Sequence, residues 1–407
     1  MDIAAPPAPA PVLGSNIRHL NLDVLWYGVL AGSTLAFLSV YAAHLGASGF
    51  QVGLLTAGPA IVNLAFSMHA ARWLHGREIF RATFSSSLWH RIAYLGLLPL
   101  PWILGPENQV WALVALVAVM SVPGTLLAIA FNAMFAEAVP ADWRGQVVGR
   151  RNAMVAISLT VTSVACIALL EALSFPLNYS LVFALGAIGA MLSSYHLGRL
   201  RPPHPPGTPQ PEGPGAGAGR PRLLRPDILR GPFGPFIAAY LFFYAVQYLP
   251  IPIFPLFWVN ILRLSDGAIS LGNALFYAGM ILGSLRLGKW SAQHGHRRLL
   301  VASAVVYGAY PLLNGLSGGV AVYWLASGLG GAIWGVLNAA ILNRLLERVP
   351  ADDRPAHMAL HNIALNLGIL VGSLAGPALA GWVGLRTALI AGAGLRLISG
   401  IVFALLA

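Results

Sequence analysis

Twelve stretches of this 407-residue chain are each apolar for about the length that a helix needs to cross a bilayer, and nothing else in the sequence restricts the fold as strongly. About 20 residues at a rise of 1.5 Å span the hydrocarbon, and backbone polar groups surrounded by lipid must bond within their own segment, so each stretch is predicted to be a helix. The first six cover residues 22–43, 51–73, 82–104, 109–136, 147–172 and 179–198. The second six cover 233–260, 267–291, 299–316, 320–343, 357–382 and 386–407. Composition fits a lipid solvent: 57% of residues are hydrophobic and 9% charged, whereas a soluble domain charges about a quarter of its residues.

The two sets of six are related by a repeat. Glu137, Val139, Pro140, Ala141, Asp142, Arg144 and Asn152 recur 210 positions later as Glu347, Val349, Pro350, Ala351, Asp352, Arg354 and Asn362. Ser48, Leu54 and Trp73 likewise correspond to Ser265, Leu271 and Trp290 at an offset of 217. Each acid-Pro-Asp-Arg connector lies between two long apolar segments, so the duplicated unit is a helical bundle with a short polar turn. The expected division is a disordered tail over 1–20, a six-helix bundle over 21–198, a Pro- and Gly-rich linker over 199–231, and a second six-helix bundle over 232–407.

Net charge is +11, and its arrangement speaks of topology. Arg72, Arg77 and Arg81, then Arg144, Arg150 and Arg151, the linker arginines, Lys289, Arg297 and Arg298, and Arg344, Arg348 and Arg354 all fall on alternate turns. The positive-inside rule then puts both termini in the cytoplasm of a multi-pass inner (plasma) membrane protein. No aromatic-basic platform accompanies these charges, so nucleic acid is not an expected partner and anionic headgroups are. The single cysteine, Cys166, excludes an intramolecular disulfide. Phosphate-binding Gly-Lys-Ser/Thr loops and Gly-x-Ser-x-Gly elbows are missing, which argues against ATP drive and against an enzyme. His357 and His361 have metal-ligand spacing without the acid or cysteine a site would add, so no metal and no cofactor is expected.

Twelve spans in two halves, a long central loop and basic turns after helices 2 and 8 resemble the major facilitator superfamily across residues 20–407. The match to its Gly-x-x-x-Asp-x-x-Gly-Arg turn is partial. Gly76 and Arg77 keep the end of the first copy, while His69 and Trp73 replace its Gly and Asp. Gly288, Gly295, Arg297 and Arg298 fit the second copy, with Ala292 in the place of the acid. The Gly-Pro helix 5 of proton-linked drug exporters is absent from 158–171. The resemblance implies an all-α fold of two pseudo-symmetric bundles, expected as a monomer, that moves a small-molecule substrate by alternating access, with or without a coupled proton. It also implies a cavity lined by helices 1, 4, 7 and 10. The same fold can serve a second class of function, a non-transporting membrane assembly factor or receptor, and that alternative stays open.

Candidate residues follow from charge and polarity inside apolar segments. An ionised group at mid-bilayer costs about 2.5–3.5 kcal/mol on insertion scales, so Arg91, and after it Arg396, needs a partner or a water-filled space. Asp23 is the best-placed acid for a coupled proton. Tyr240, Tyr244, Gln247 and Tyr248 share one face of helix 7 and, with Tyr27 and Asn338, are the candidate substrate contacts. Pro250, Pro252 and Pro255 are expected to break the second half of that helix. Glu137, Asp142 and Arg144, and Glu347, Asp352 and Arg354, are expected to pair as a gate. Gly368, Gly372 and Gly376, one face of helix 11, are expected to form a sliding contact.

Overall fold

A computed structural model describes residues 11–203, 225–350 and 353–406. Twelve helical segments follow one another. They are α1 (Pro11–His44), α2 (Gly49–Leu74), α3 (Ile79–Ile92), α4 (Pro106–Ala138), α5 (Ala141–Ala172) and α6 (Leu177–Leu197), then α7 (Phe233–Ile261), α8 (Asp266–His294), α9 (His296–Leu316), α10 (Val320–Arg348), α11 (Arg354–Val383) and α12 (Leu385–Leu406). Eleven of these, among the described residues, are long and apolar enough to cross a membrane. The exception is α3, read from sequence as one span over 82–104. It stops at Ile92, runs on as a 3-10 turn over Ala93–Leu97 and restarts as the short helix Leu100–Ile103. Pro99 and Pro101 cannot donate to the preceding turn, and an apolar composition does not reveal that break.

The helices pair by one rule applied twice. In the first half α1 packs on α5 and α6, α4 on α2 and α3, and α3 on α6. Adding six to every number gives the pairs of the second half. The halves meet through α5 against α8 and α2 against α11, two contacts that the same operation exchanges. The sequence repeat has a matching local cause. Ser48 and Ser265 both cap helices, accepting from the backbone N–H of Gln51 and Ala268 at 3.3 and 3.1 Å. The N–H groups of Val139 and Val349 both close the ends of α4 and α10 on Phe135 and Leu345 at 3.1 Å, just before the prolines that prevent the helix from continuing.

One boundary departs from the sequence reading. Helix α1 starts at Pro11, ahead of the tail boundary at residue 20, and its first turns have partners of their own. Asn16 donates to the carbonyl of Arg201 at 2.8 Å and accepts the Arg201 N–H at 3.0 Å, which docks the start of the linker onto α1. The described end of the linker, Arg225, bonds Asp227 at 2.6 Å and Asp353 at 2.9 Å. Its guanidinium holds the Asp227 carboxyl below the ordinary carboxylate range and ties the linker to the start of α11. In α7 the three prolines act as expected. Regular helix ends at Tyr248, resumes over Ile253–Leu256 and widens to a π turn over Phe257–Ile261.

Candidate functional site

The charged centre of the molecule is built on α1. Asp23 is buried, and its carboxylate accepts from Ser193 on α6 at 2.6 Å and faces two guanidiniums, Arg151 on α5 at 3.1 Å and Arg91 on α3 at 3.6 Å. Four helices converge on one acid. Helical periodicity explains the placement: Asn16, Leu20 and Asp23 are buried on one side of α1, while Arg18, on the opposite side, stays exposed. Arg151 also bonds the carbonyl of Leu20 and lies 5.0 Å over the ring of Phe131. Arg91 makes a longer contact to Ser194 at 3.4 Å, and Ser194 pairs with Ser87 at 2.8 Å.

Tyr27 stands one turn beyond Asp23. It is 39% exposed, within electrostatic range of Arg91 and Asp23 on its own half and of Tyr277 on α8 of the other half. Tyr27 and Arg91, both expected as substrate contacts, thus lie near Asp23, and through Tyr27 the group comes within electrostatic range of α8 in the second half. Arg151 was read from sequence as part of a basic turn. The second arginine of the Arg150-Arg151 pair reaches inward because it shares a face of α5 with the buried Val147 and Ser158, at helical spacing, while Arg150 is exposed, a distinction that loop counting does not make.

The α7 stripe is divided by its contacts. Tyr240 is fully buried and donates to the carbonyl of Ile341 at 2.9 Å, and the Tyr244 hydroxyl lies 2.9 Å from Nε2 of His361. Both hydroxyls are engaged in helix contacts inside the second half. Gln247 is buried with its side-chain oxygen unpartnered, and Tyr248 is half-buried. Asn338 is exposed on α10. Arg396, fully buried on α12, donates to the carbonyls of Tyr307 at 3.1 Å and Gln247 at 3.2 Å and sits 4.3 Å over the Tyr307 ring. No acidic partner lies within 4.0 Å of it among the described residues.

The contacts that join the halves cluster at the end bearing the α1–α2 and α7–α8 turns. Asp266, first residue of α8, lies 2.8 Å from Nε2 of His44 on α1 and accepts from the Tyr179 hydroxyl on α6 at 2.8 Å. Ser270 donates to the Ser163 carbonyl at 2.5 Å. A Cβ added to Gly53 on α2 would lie 2.5 Å from the carbonyl oxygen of Ser373 on α11, so only glycine lets these backbones approach so closely. The face of α11 that makes this contact is distinct from its glycine face. Gly368, Gly372 and Gly376 seat α7 within the second half, where added Cβ atoms would meet Tyr244, Ala245 and Leu249. Ser373 and Pro377, on the neighbouring face, meet α2 at Gly49 and Gly53. Small residues occupy both faces, so sequence spacing alone does not say which one crosses between halves.

The connectors at the opposite end also pair differently from expectation. Arg144 donates to the carbonyls of Val139 at 2.9 Å and Ala136 at 2.5 Å, closing its own α4 end. Glu347 bonds Arg344 at 3.0 Å and lies 3.7 Å from His296, while Arg354 is exposed. Residues three apart on one helix are already adjacent, which favours Arg344 over a partner across the turn. Glu137 lies in the last turn of α4 and Asp142 is exposed in the first turn of α5; Asp352 lies outside the described residues.

A family model described as Major Facilitator Superfamily matches residues 25–251 and 236–407. Among solved structures, the chain is similar to a bacterial homologue of the iron transporter ferroportin in an inward-facing state (12% identity, TM-score 0.71, covering 96% of this chain and 98% of that one). It is similar to a bacterial homologue of the human lysosomal transporter Spinster, inward-facing and unoccupied (16%, TM-score 0.68, 98% of each chain). It also resembles the nucleoside transporter NupG (16%, TM-score 0.65, 96% of this chain and 98% of that one). No curated protein matches it in sequence.

Proposed function

This chain belongs to the major facilitator superfamily, and from that premise we propose that it is a secondary transporter of a small organic solute, working by alternating access between its two six-helix halves. One observation carries the reading. The bonds between the halves gather at a single end, around Asp266, Ser270 and Gly53, while the charged cluster at Asp23 and the 39% exposed Tyr27 lie toward the middle of α1, away from that end. With the termini cytoplasmic, the joined end faces outward and the solute path opens inward, as in the inward-facing Spinster and ferroportin homologues.

Asp23 is the assigned site for a coupled proton. It is the meeting point of Arg91, Arg151 and Ser193, so protonating it would release both guanidiniums at once and couple its charge to the packing of four helices. The test is counterflow in liposomes. Purified protein reconstituted with an unlabelled solute inside should accumulate the same labelled solute, and a D23N variant should exchange it without responding to a pH gradient. Failure to move any member of a broad metabolite panel, with a stable partner protein co-purifying instead, would overturn the transporter reading.

A further inference from the structure

We propose that the transported solute is an organic anion carrying a single negative charge beside an apolar body, and that Arg91 is the residue that binds the charge. The inference rests on the transport reading above and names its substrate class. It starts from charge balance. One carboxylate, Asp23, faces two guanidiniums, so the buried centre of the first half carries one positive charge more than it neutralises. The other acids of the described spans lie at or near helix ends: Glu107 in the first turn and Glu137 in the last turn of α4, Asp142 in the first and Glu171 in the last turn of α5, Asp266 in the first turn of α8, and Glu347 near the end of α10. None can compensate the centre. Arg396 adds a second buried cation in the other half, again without an acidic partner among the described residues.

A fold that needed only to tie α1 to its neighbours would do so with one arginine, because an unbalanced charge at this depth is unfavourable. The extra guanidinium has a physical reason if a ligand supplies the missing negative charge. The two arginines are not equivalent in this respect. Arg151 is fully committed, with Asp23, the Leu20 carbonyl and the face of Phe131 around it. Arg91 is held loosely, 3.6 Å from Asp23 and 3.4 Å from Ser194, and it lies within electrostatic range of Tyr27, which is 39% exposed and in turn within range of Tyr277 on α8 of the other half. An anion beside Tyr27 would reach Arg91 and compete with Asp23 for it. The phenol faces of Tyr27 and Tyr277 suit an organic body. The same field repels metal cations and organic cations.

The experiment uses matched pairs of probes that differ in charge at nearly constant shape, benzoate with benzamide and lactate with lactamide, and adds Fe2+ and a quaternary amine as cations. Binding to the purified full-length protein is followed by thermal shift and titration calorimetry, and flux by counterflow. The expected result is that an anion binds while its neutral partner does not, that R91Q weakens this binding roughly 10- to 100-fold, as loss of a charge-assisted hydrogen bond does, and that R91K retains part of it. R91Q leaves Asp23 and Arg151 as a balanced pair, so it should remain folded, and R91K serves as a second check. D23N, which frees Arg91, should bind the anion more tightly. The proposal is overturned if the solute bound is neutral or cationic, if no anion binds, or if R91Q binds the anion as well as the parent does. Binding of an anion without flux would leave the charge assignment standing and remove the transport reading; flux of a neutral solute would do the reverse.

Discussion

Replacing Asp23 by Asn tests the charge balance directly. At an effective dielectric of about 20, the Asp23 pair with Arg151 at 3.1 Å has a Coulomb energy of ~5 kcal/mol and the pair with Arg91 at 3.6 Å slightly less. Desolvation cancels much of this, so the useful figure is the loss on removing one member of a buried network, about 3–5 kcal/mol. D23N leaves two guanidiniums with no carboxylate between them, whereas R91Q leaves a neutral Asp23–Arg151 pair. Stability should therefore fall sharply in D23N, stay close to the parent in R91Q, and be partly restored in D23N/R91Q. For a chain of about 400 residues, with roughly 1 °C per kcal/mol, the D23N midpoint should drop by about 3–5 °C. Thermal unfolding of the purified variants, read by intrinsic fluorescence in one detergent, measures the order. If D23N proves as stable as R91Q, or the double variant no better than D23N, the cluster is not an unbalanced network and the reasoning built on it fails.

Three further outcomes follow from the contacts. Gly53→Val places a side chain against the Ser373 carbonyl and should force α2 from α11, raising the rate at which an impermeant maleimide labels Ala42→Cys, a fully buried position, in a Cys166→Ala background. Asp266→Asn weakens both the His44 and Tyr179 contacts and should raise the same labelling rate by roughly 2- to 5-fold, the range of a partly exposed ion pair of up to ~1 kcal/mol. Asn16→Ala removes two hydrogen bonds to Arg201, about 1–2 kcal/mol in all, and should speed tryptic cleavage after Arg199 while leaving global unfolding nearly unchanged.

How far the sequence can be read depends on the range of the force that places each residue. Burial in lipid acts on whole segments, so the twelve apolar stretches and the duplicated connectors were visible as a pattern, and eleven stretches recur as long helices. Proline acts on its own turn, so the break in α7 is legible from its three prolines; Pro99 and Pro101 break α3 in the same way while leaving the stretch apolar throughout, so its hydropathy does not show the break. The candidate site was legible only in part. A charge in an apolar run drew attention to Arg91 and Asp23, and their proximity to each other required the fold.

The sequence by itself determined the solvent, the number of segments and their twofold repetition, since each depends on composition and spacing along the chain. Tertiary structure alone decided which residues meet. It brought Arg151 from an apparent surface turn to Asp23, turned Tyr240 and Tyr244 toward backbone and histidine partners, and chose Ser373 and Pro377 over the glycine face of α11 as the contact between halves. Helical periodicity gives every long segment several faces of similar polarity, and only the packing of one helix against another selects among them.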